Sequence, residues 1–182
     1  MDHHDHVALV RAGVDGAGKR WLELGAGEGA FTLALADVLG AGGDITALDR
    51  DRRALATNAE AVGRRFPAIH LQTLVQDFTR GLPPGPFDGV LAANSLHFVR
   101  DRREVLAAIR ALTPHLVLVE YDADRGNPWV PHPFSFETWR REAQAAGFKE
   151  PTLIHRVPSR FLGAIYGAVS LPDGRTAPDR PT

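Results

Sequence analysis

Five short apolar runs in this chain alternate with stretches of helical periodicity, and this alternation restricts the fold more than any other feature. Arg20–Leu24, Asp44–Asp49, Ile69–Val75, Phe87–Ala93 and Leu116–Tyr121 read as strands. Between them, Glu28–Leu39 places Phe31, Leu35, Val38 and Leu39 on one helical face and ends at Gly40. Arg52–Val62 carries Leu55, Ala59 and Val62 at helical spacing, and Gly63 is expected to stop it. Val105, Ala108, Ile109 and Leu112 form a further apolar stripe, behind an Asp101/Glu104 pair with capping-box-like spacing. Ser135 is a good N-cap for a helix bearing Phe136, Trp139, Ala143 and Ala146, closed by Gly147. Pro151–Val157 and Phe161–Ser170 are separated only by Pro158-Ser159-Arg160, which predicts an antiparallel hairpin.

Repeated strand–helix–strand units predict a parallel sheet with helices on both faces. The expected fold is α/β: a doubly wound, mostly parallel, seven-stranded sheet with a C-terminal antiparallel hairpin. Residues 1–170 are expected to form a single domain, and 171–182 a flexible tail rich in Pro, Gly and charge. In such sheets ligands bind beyond the carboxyl ends of the strands, where the strand order reverses. Site residues are therefore sought after Leu24, around Asp49 and Asp77, around Asn94, and after Glu120.

Composition narrows the chemistry. The chain has 182 residues and no cysteine, which removes disulfides, thiolate catalysis, iron–sulfur clusters and Cys-ligated zinc. Basic and acidic residues number 21 and 22, so no charge excess favours nucleic acid or anionic lipid. No apolar run reaches the roughly 18–20 residues of a membrane span, and the polar start Met1-Asp2-His3-His4-Asp5-His6 lacks a signal pattern. The expectation is a cytoplasmic protein, monomeric or homodimeric, with no nucleic-acid or membrane partner. The His3, His4, Asp5, His6 group has no second ligand cluster, so no metal site is expected there. Val7-Ala8-Leu9-Val10 is expected to form a helix covering the ligand cleft, with His3 or His6 at its border.

Glu23-Leu24-Gly25-Ala26-Gly27-Glu28-Gly29 lies between a strand and a helix. Its glycines permit left-handed backbone and close approach of a ligand to the main chain. Two ligands suit this loop. Gly25–Ala30 matches the dinucleotide fingerprint, with Asp49 near the distance expected of a ribose-binding acid, which would make the protein an NAD(P)-dependent oxidoreductase. S-adenosylmethionine also has a ribose, but it carries an ammonium and a sulfonium in place of a pyrophosphate. Carboxylates at Glu23 and Glu28 would repel a pyrophosphate and suit those cations.

The ordered set of these motifs resembles the class I S-adenosylmethionine-dependent methyltransferases over residues 7–170, roughly the whole chain. The segment Glu23–Gly29 is similar to the family's first motif, which implies cofactor contacts from Glu23, Gly25, Ala26, Gly27, Glu28 and Gly29. Asp49, with Arg50 beside it, is similar to the acid that binds both ribose hydroxyls. Asp77-Phe78 resembles the segment that contacts the adenine amino group and packs on its ring. Phe87 to Phe98, with Asn94 at the strand end, resembles the fourth-strand motif of small-molecule methyltransferases. The final hairpin is similar to the family's antiparallel sixth and seventh strands. The resemblance implies S-adenosylmethionine as donor, S-adenosylhomocysteine as product and a small-molecule acceptor. Relatives often carry a Pro-Gly-Gly turn before the fifth strand, where this chain has the shorter Leu112-Thr113-Pro114-His115-Leu116.

Methyl transfer needs an aligned acceptor and, where the acceptor arrives protonated, a base. His97 is the best-placed candidate base, three residues past Asn94, which is positioned to hold acceptor or cofactor. Glu120 and Tyr121 close the fifth strand at the same edge and are candidates for substrate contact. The stiff loop Gly126–Pro133, with Asn127, Trp129 and His132, is a candidate substrate lid. Its Asn127-Pro128-Trp129 superficially matches an amino-group methyltransferase signature, but that signature belongs after the fourth strand and this one follows the fifth. A third reading is a non-catalytic S-adenosylmethionine-binding protein.

Overall fold

In chain order the elements are α1 (His3–Val14), β1 (Arg20–Leu24), α2 (Ala30–Leu39), β2 (Asp44–Asp49), α3 (Arg52–Arg65), β3 (His70–Val75), β4 (Gly89–Ala93), α4 (Arg103–Leu112), β5 (Leu116–Tyr121), α5 (Phe136–Ala145), β6 (Thr152–Ser159) and β7 (Gly163–Ser170). This computed structural model describes residues 1–113 and 115–172. The seven strands form one sheet in the order β3-β2-β1-β4-β5-β7-β6. β1 to β5 are parallel, and β7 runs antiparallel between β5 and β6. The strand order reverses at β1, which pairs with β2 on one side and β4 on the other. That is where a doubly wound sheet opens a crevice.

Period-two alternation sends side chains to two cores. Trp21, Leu91, Val117 and Val119 pack beneath α1 and α2 on one face. Leu22, Val90, Leu116 and Leu118 pack beneath α4 and α5 on the other. Leu55 of α3 joins Ala26 and Ala47 on the α2 side. The central strands are therefore buried on both faces, which explains their nearly unbroken apolar sequence. No helix among the described residues is long and apolar enough to cross a membrane.

Several expected boundaries move for local reasons. α2 begins at Ala30 and not Glu28, because Gly29 has φ 96° and cannot join the helix. α3 runs through Gly63 to Arg65. The stop comes from Pro67, which disfavours helical geometry at Phe66. β4 begins at Gly89, not Phe87. The preceding Asp88 carboxylate instead accepts the N–H groups of Lys19 and Arg20 at 2.8 Å each. The N-cap of α4 is Arg102, with no side-chain cap bond; Asp101, one residue earlier, accepts the Arg103 N–H at 3.2 Å and pairs with its guanidinium. The hairpin turn is at 160–162, two residues later than expected. Leu171 accepts the Lys149 N–H at 2.8 Å and Pro172 bridges to Phe148, so these two residues still belong to the fold. The remainder of the expected tail, 173–182, lies outside the described residues.

The N-terminal helix corrects a functional expectation. α1 does not cover the ligand cleft. It lies against α2, β5, β6 and β7, where Leu9, Val10 and Val14 are buried. This sheet surface is left bare by α2 and α3, and an apolar stripe is most stable there. His3 Nε2 lies 2.9 Å from Asp37, the His6 ring lies 4.7 Å from that of Phe31, and neither histidine lines the cleft. The contact is backbone-close: a Cβ at Gly167 would overlap the Leu9 carbonyl oxygen. Gly167→Ala should therefore cost about 1–3 kcal/mol of stability by overpacking. Urea denaturation checks this, and an unchanged midpoint would show that α1 shifts freely on the sheet.

Candidate active site

The glycine loop is held open by hydrogen bonds from the next strand. Gly25 and Ala26 donate their N–H groups to the Leu48 carbonyl at 2.8 and 3.0 Å. Asp49 Oδ2 accepts the Gly27 N–H at 2.8 Å, and its Oδ1 accepts the Asp51 N–H at 2.8 Å. Gly25 and Gly27 have φ of 72° and 51°, in the left-handed region. A carboxylate has roughly four acceptor sites, so Asp49 can fix the loop and still accept from two ligand hydroxyls.

Beyond this loop lies a cavity of about 520 Å³ at the carboxyl edge of β1, β2, β3 and β4. The structure brings together Gly25, Gly27, Asp49, Arg50, Asp77, Phe78 and Asn94 as its lining, from four different strand ends. Sequence reasoning missed Asp51, Ala54, Gln76, Thr79, Ser95, Phe98 and Val99. Asp51 was detectable as the N-cap of α3, where it accepts the Arg53 and Ala54 N–H groups. Asp77 Oδ1 accepts from both the hydroxyl and the N–H of Thr79, and these bonds hold its carboxyl below the usual range. Asn94 has φ 51°, and its Oδ1 is buried without a protein partner, as is Ser95 Oγ. A buried polar atom without a partner is costly, and both residues belong to the cavity wall.

Three other loop residues do not line the cavity. Ala26 packs against Ala47 and Leu55, Gly29 abuts Asn58, and Glu28 points into solvent. Glu23 lies behind the loop and is fully buried. Its Oε2 accepts the Thr32 hydroxyl at 2.6 Å, and Thr32 in turn accepts from Asn58 Nδ2 at 2.7 Å. Burial pushes the Glu23 carboxyl up to about 8, against the Thr32 hydrogen bond and with help from the Asp49 charge.

His97, Glu120 and Tyr121 meet at the ends of β4 and β5. Glu120 is buried and grips His97 twice: Oε1 accepts its N–H at 3.1 Å and Oε2 lies 2.8 Å from its Nδ1. With Nδ1 engaged by the carboxylate, Nε2 is the ring nitrogen left for another partner. The His97 ring sits 4.3 Å from the Phe98 ring and 5.7 Å from that of Tyr121. Burial, and then the Glu120 charge, raises the Tyr121 phenol above its ordinary value, so it stays a donor.

The loop after β5 is tied to this turn. The His132 N–H donates to the His97 carbonyl at 3.0 Å. Asn127 Oδ1 accepts the N–H groups of Trp129 and Val130, which leaves the Trp129 ring 73% exposed. Arg102 completes the connection, and no sequence signal marked it. Its guanidinium is bidentate to Glu142 at 2.7 and 2.8 Å, donates to the Val99 carbonyl at 2.9 Å and the His132 carbonyl at 3.4 Å, and lies 4.1 Å from the Phe134 ring centroid. A larger hollow of about 770 Å³ between α4 and α5 is lined by Arg102 and its neighbours and by none of the expected site residues.

This arrangement has known counterparts. Residues 22–114 match the methyltransferase domain family, and the chain belongs to that family. No curated protein matches the chain in sequence. Among solved structures, the N-terminal domain of EvdMO1, crystallised with S-adenosylhomocysteine and D-fucose, superposes with a TM-score of 0.67 at 22% identity, over 94% of this chain and 83% of that one. The 1,6-didemethyltoxoflavin-N1-methyltransferase of Burkholderia thailandensis, with its substrate and S-adenosylhomocysteine bound, gives 0.71 at 19% identity, over 93% and 77%. YcgJ of Bacillus subtilis gives 0.70 at 13% identity, over 94% and 99%. These likenesses establish a shared methyltransferase fold.

Glu23 gives this site a pH signature. Its folded pKa exceeds the ordinary 4.5, so the folded chain holds the proton more tightly than the unfolded one. Stability is greatest below pH 4.5 on this account and declines as pH rises through about 8. Glu23→Gln should remove that decline, with a gain over wild type on the order of a few kcal/mol above pH 8 and none in acid. Urea midpoints across pH measure it, and parallel curves for the two proteins would place the charge elsewhere.

Proposed function

We propose that this protein transfers a methyl group from S-adenosylmethionine to a small-molecule acceptor. The observation that carries the donor is the charge of the cavity beyond the glycine loop: three carboxylates, Asp49, Asp51 and Asp77, against one guanidinium, Arg50. This set opposes a pyrophosphate and suits a ligand bearing hydroxyls, an ammonium and a sulfonium. It favours S-adenosylmethionine over a nicotinamide dinucleotide. Asp49 would hold the ribose hydroxyls, Asp77 and Phe78 the adenine, and Gly25, Gly27 and Asn94 the amino-acid end. Glu23 contributes from behind the loop, through the position of Thr32 and α2. When bound, S-adenosylmethionine supplies an activated methyl group and leaves as S-adenosylhomocysteine.

The chain's own work is orientation and proton removal. Glu120 fixes the His97 ring and its tautomer, and Nε2 then accepts the acceptor's proton. A buried, oriented histidine beside the cofactor cavity favours catalysis over simple cofactor binding. The loop carrying Asn127, Trp129 and His132 steadies the His97 turn and shields it from water. A cytoplasmic monomer or homodimer acting on a diffusible acceptor completes the reading.

Calorimetry tests the donor. S-adenosylhomocysteine should bind, NAD should not, and Asp49→Ala should weaken binding about tenfold or more, since two charge-assisted hydrogen bonds are lost. Tight NAD binding with none for S-adenosylhomocysteine would overturn this function. His97→Gln should lower turnover of any accepted phenol, amine or carbon acid by about a hundredfold or more and leave S-adenosylhomocysteine affinity unchanged. Undiminished turnover would remove His97 from the chemistry.

A further inference from the structure

Only one arginine among the described residues is buried: Arg102, with 8% of its surface exposed. A guanidinium presents five N–H donors in a rigid fork. Here two bonds go to the Glu142 carboxylate, one to the Val99 carbonyl and one to the His132 carbonyl. Both carbonyls belong to segments that build the site. Val99 lines the cofactor cavity, together with Ser95 and Phe98 of the same turn. His132 donates its N–H to the His97 carbonyl, so both of its backbone polar groups are engaged, one by the His97 turn and one by Arg102. Glu142 stands on α5, which is anchored in the core by Trp139 and Ala143.

We propose that Arg102 is a positioning residue for methyl transfer: it ties the cavity wall at Val99 and the turn that carries His97 to the fixed frame of α5. The inference deepens the methyl-transfer reading and rests on it for its biological sense. Energetics separate this role from simple stabilisation. Burying an ion pair carries a desolvation cost that its attraction often fails to exceed, and apolar residues of similar volume commonly serve stability as well. Apolar side chains cannot hold two carbonyl oxygens in fixed directions. A lysine cannot replace the fork either, because its ammonium is a point charge and does not match a carboxylate through two parallel bonds. Access supplies a means of testing this. Arg102 and Glu142 both line the hollow of about 770 Å³ between α4 and α5, so a small cation can reach the position of the guanidinium from solvent.

Two variants of the full protein test this assignment. Arg102→Met combined with Glu142→Met removes both charges together, so its urea midpoint should stay near that of wild type. Its affinity for S-adenosylhomocysteine, measured by calorimetry, should nevertheless fall about tenfold, and the His132 amide should exchange its hydrogen about tenfold faster in the ligand-free protein. Arg102→Ala should show the same two losses. Ethylguanidinium supplies the atoms that this substitution removes and should restore both readouts at millimolar concentration, whereas ethylammonium should restore neither. Unchanged affinity and exchange in the double variant, losses of affinity that merely follow the urea midpoint across the variants, or equal rescue by the two cations would each overturn the assignment. Failure of S-adenosylhomocysteine to bind wild type, with His132 exchange still dependent on Arg102 and rescued by ethylguanidinium, would support the clamp and count against the methyl donor alone.

Discussion

The site depends first on the Asp49 carboxylate. It stands where the sheet reverses its order and accepts one N–H from the glycine loop and one from the turn entering α3. Two segments that share no covalent neighbour are thereby held at a fixed separation, and the gap between them is the cavity. The glycines allow this shape, but the carboxylate selects it. Left-handed angles at Gly25 and Gly27 are accessible to many loops, and the Asp49 anion, with the Leu48 carbonyl, makes this one persist. A ligand with vicinal hydroxyls then meets a group already oriented by the protein, so little ordering remains to be done on binding.

A second anchor organises the opposite side. Glu120 is buried, and a buried carboxylate must be matched by donors. His97 supplies two of them, one from its backbone and one from its ring. Arg102 does the reciprocal task for carbonyls: its guanidinium meets Val99, His132 and Glu142 at once and lies over Phe134. The loops after β4 and β5 therefore cannot move independently of α5. The rigidity of the His97 turn is shared among three elements distant in sequence.

Those sequence distances explain what could be read in advance. The strands themselves, the hairpin and the glycine loop rest on short-range patterns: runs of Val and Leu, a Gly-rich turn, and acids at strand ends. They were legible because the periodicity of a buried parallel strand leaves little alternative. Gly63 misled because glycine is tolerated inside a helix, and Pro67 was the stronger stop. Glu23 was visible as an acid in the right motif, but its burial against Thr32 and Asn58 depends on α2 and α3 closing over it. Arg102 was one of 19 arginines, and nothing local separates a buried clamp from a solvated surface residue. The position of α1 was misjudged for a related reason. Its apolar stripe demands a cover, but periodicity does not say which surface will be bare.

That docking of α1 has a consequence for how the chain assembles. The backbone of Leu9 rests directly on Gly167, so one side of the sheet is sealed only when α1 meets β7. The last strand inserts between β5 and β6, and the first helix then lies across it. A ribosome releases the N-terminal segment long before its binding surface is complete. Until β7 emerges, Leu9, Val10 and Val14 lack part of the sheet surface they pack on, and the edge of β5 lacks its antiparallel partner. Such high contact order slows folding and prolongs exposure of apolar surface. Nascent chains of this protein should therefore rely on holding chaperones until β7 is made, and changes that keep α1 from β7 should disturb assembly more than they disturb the finished site.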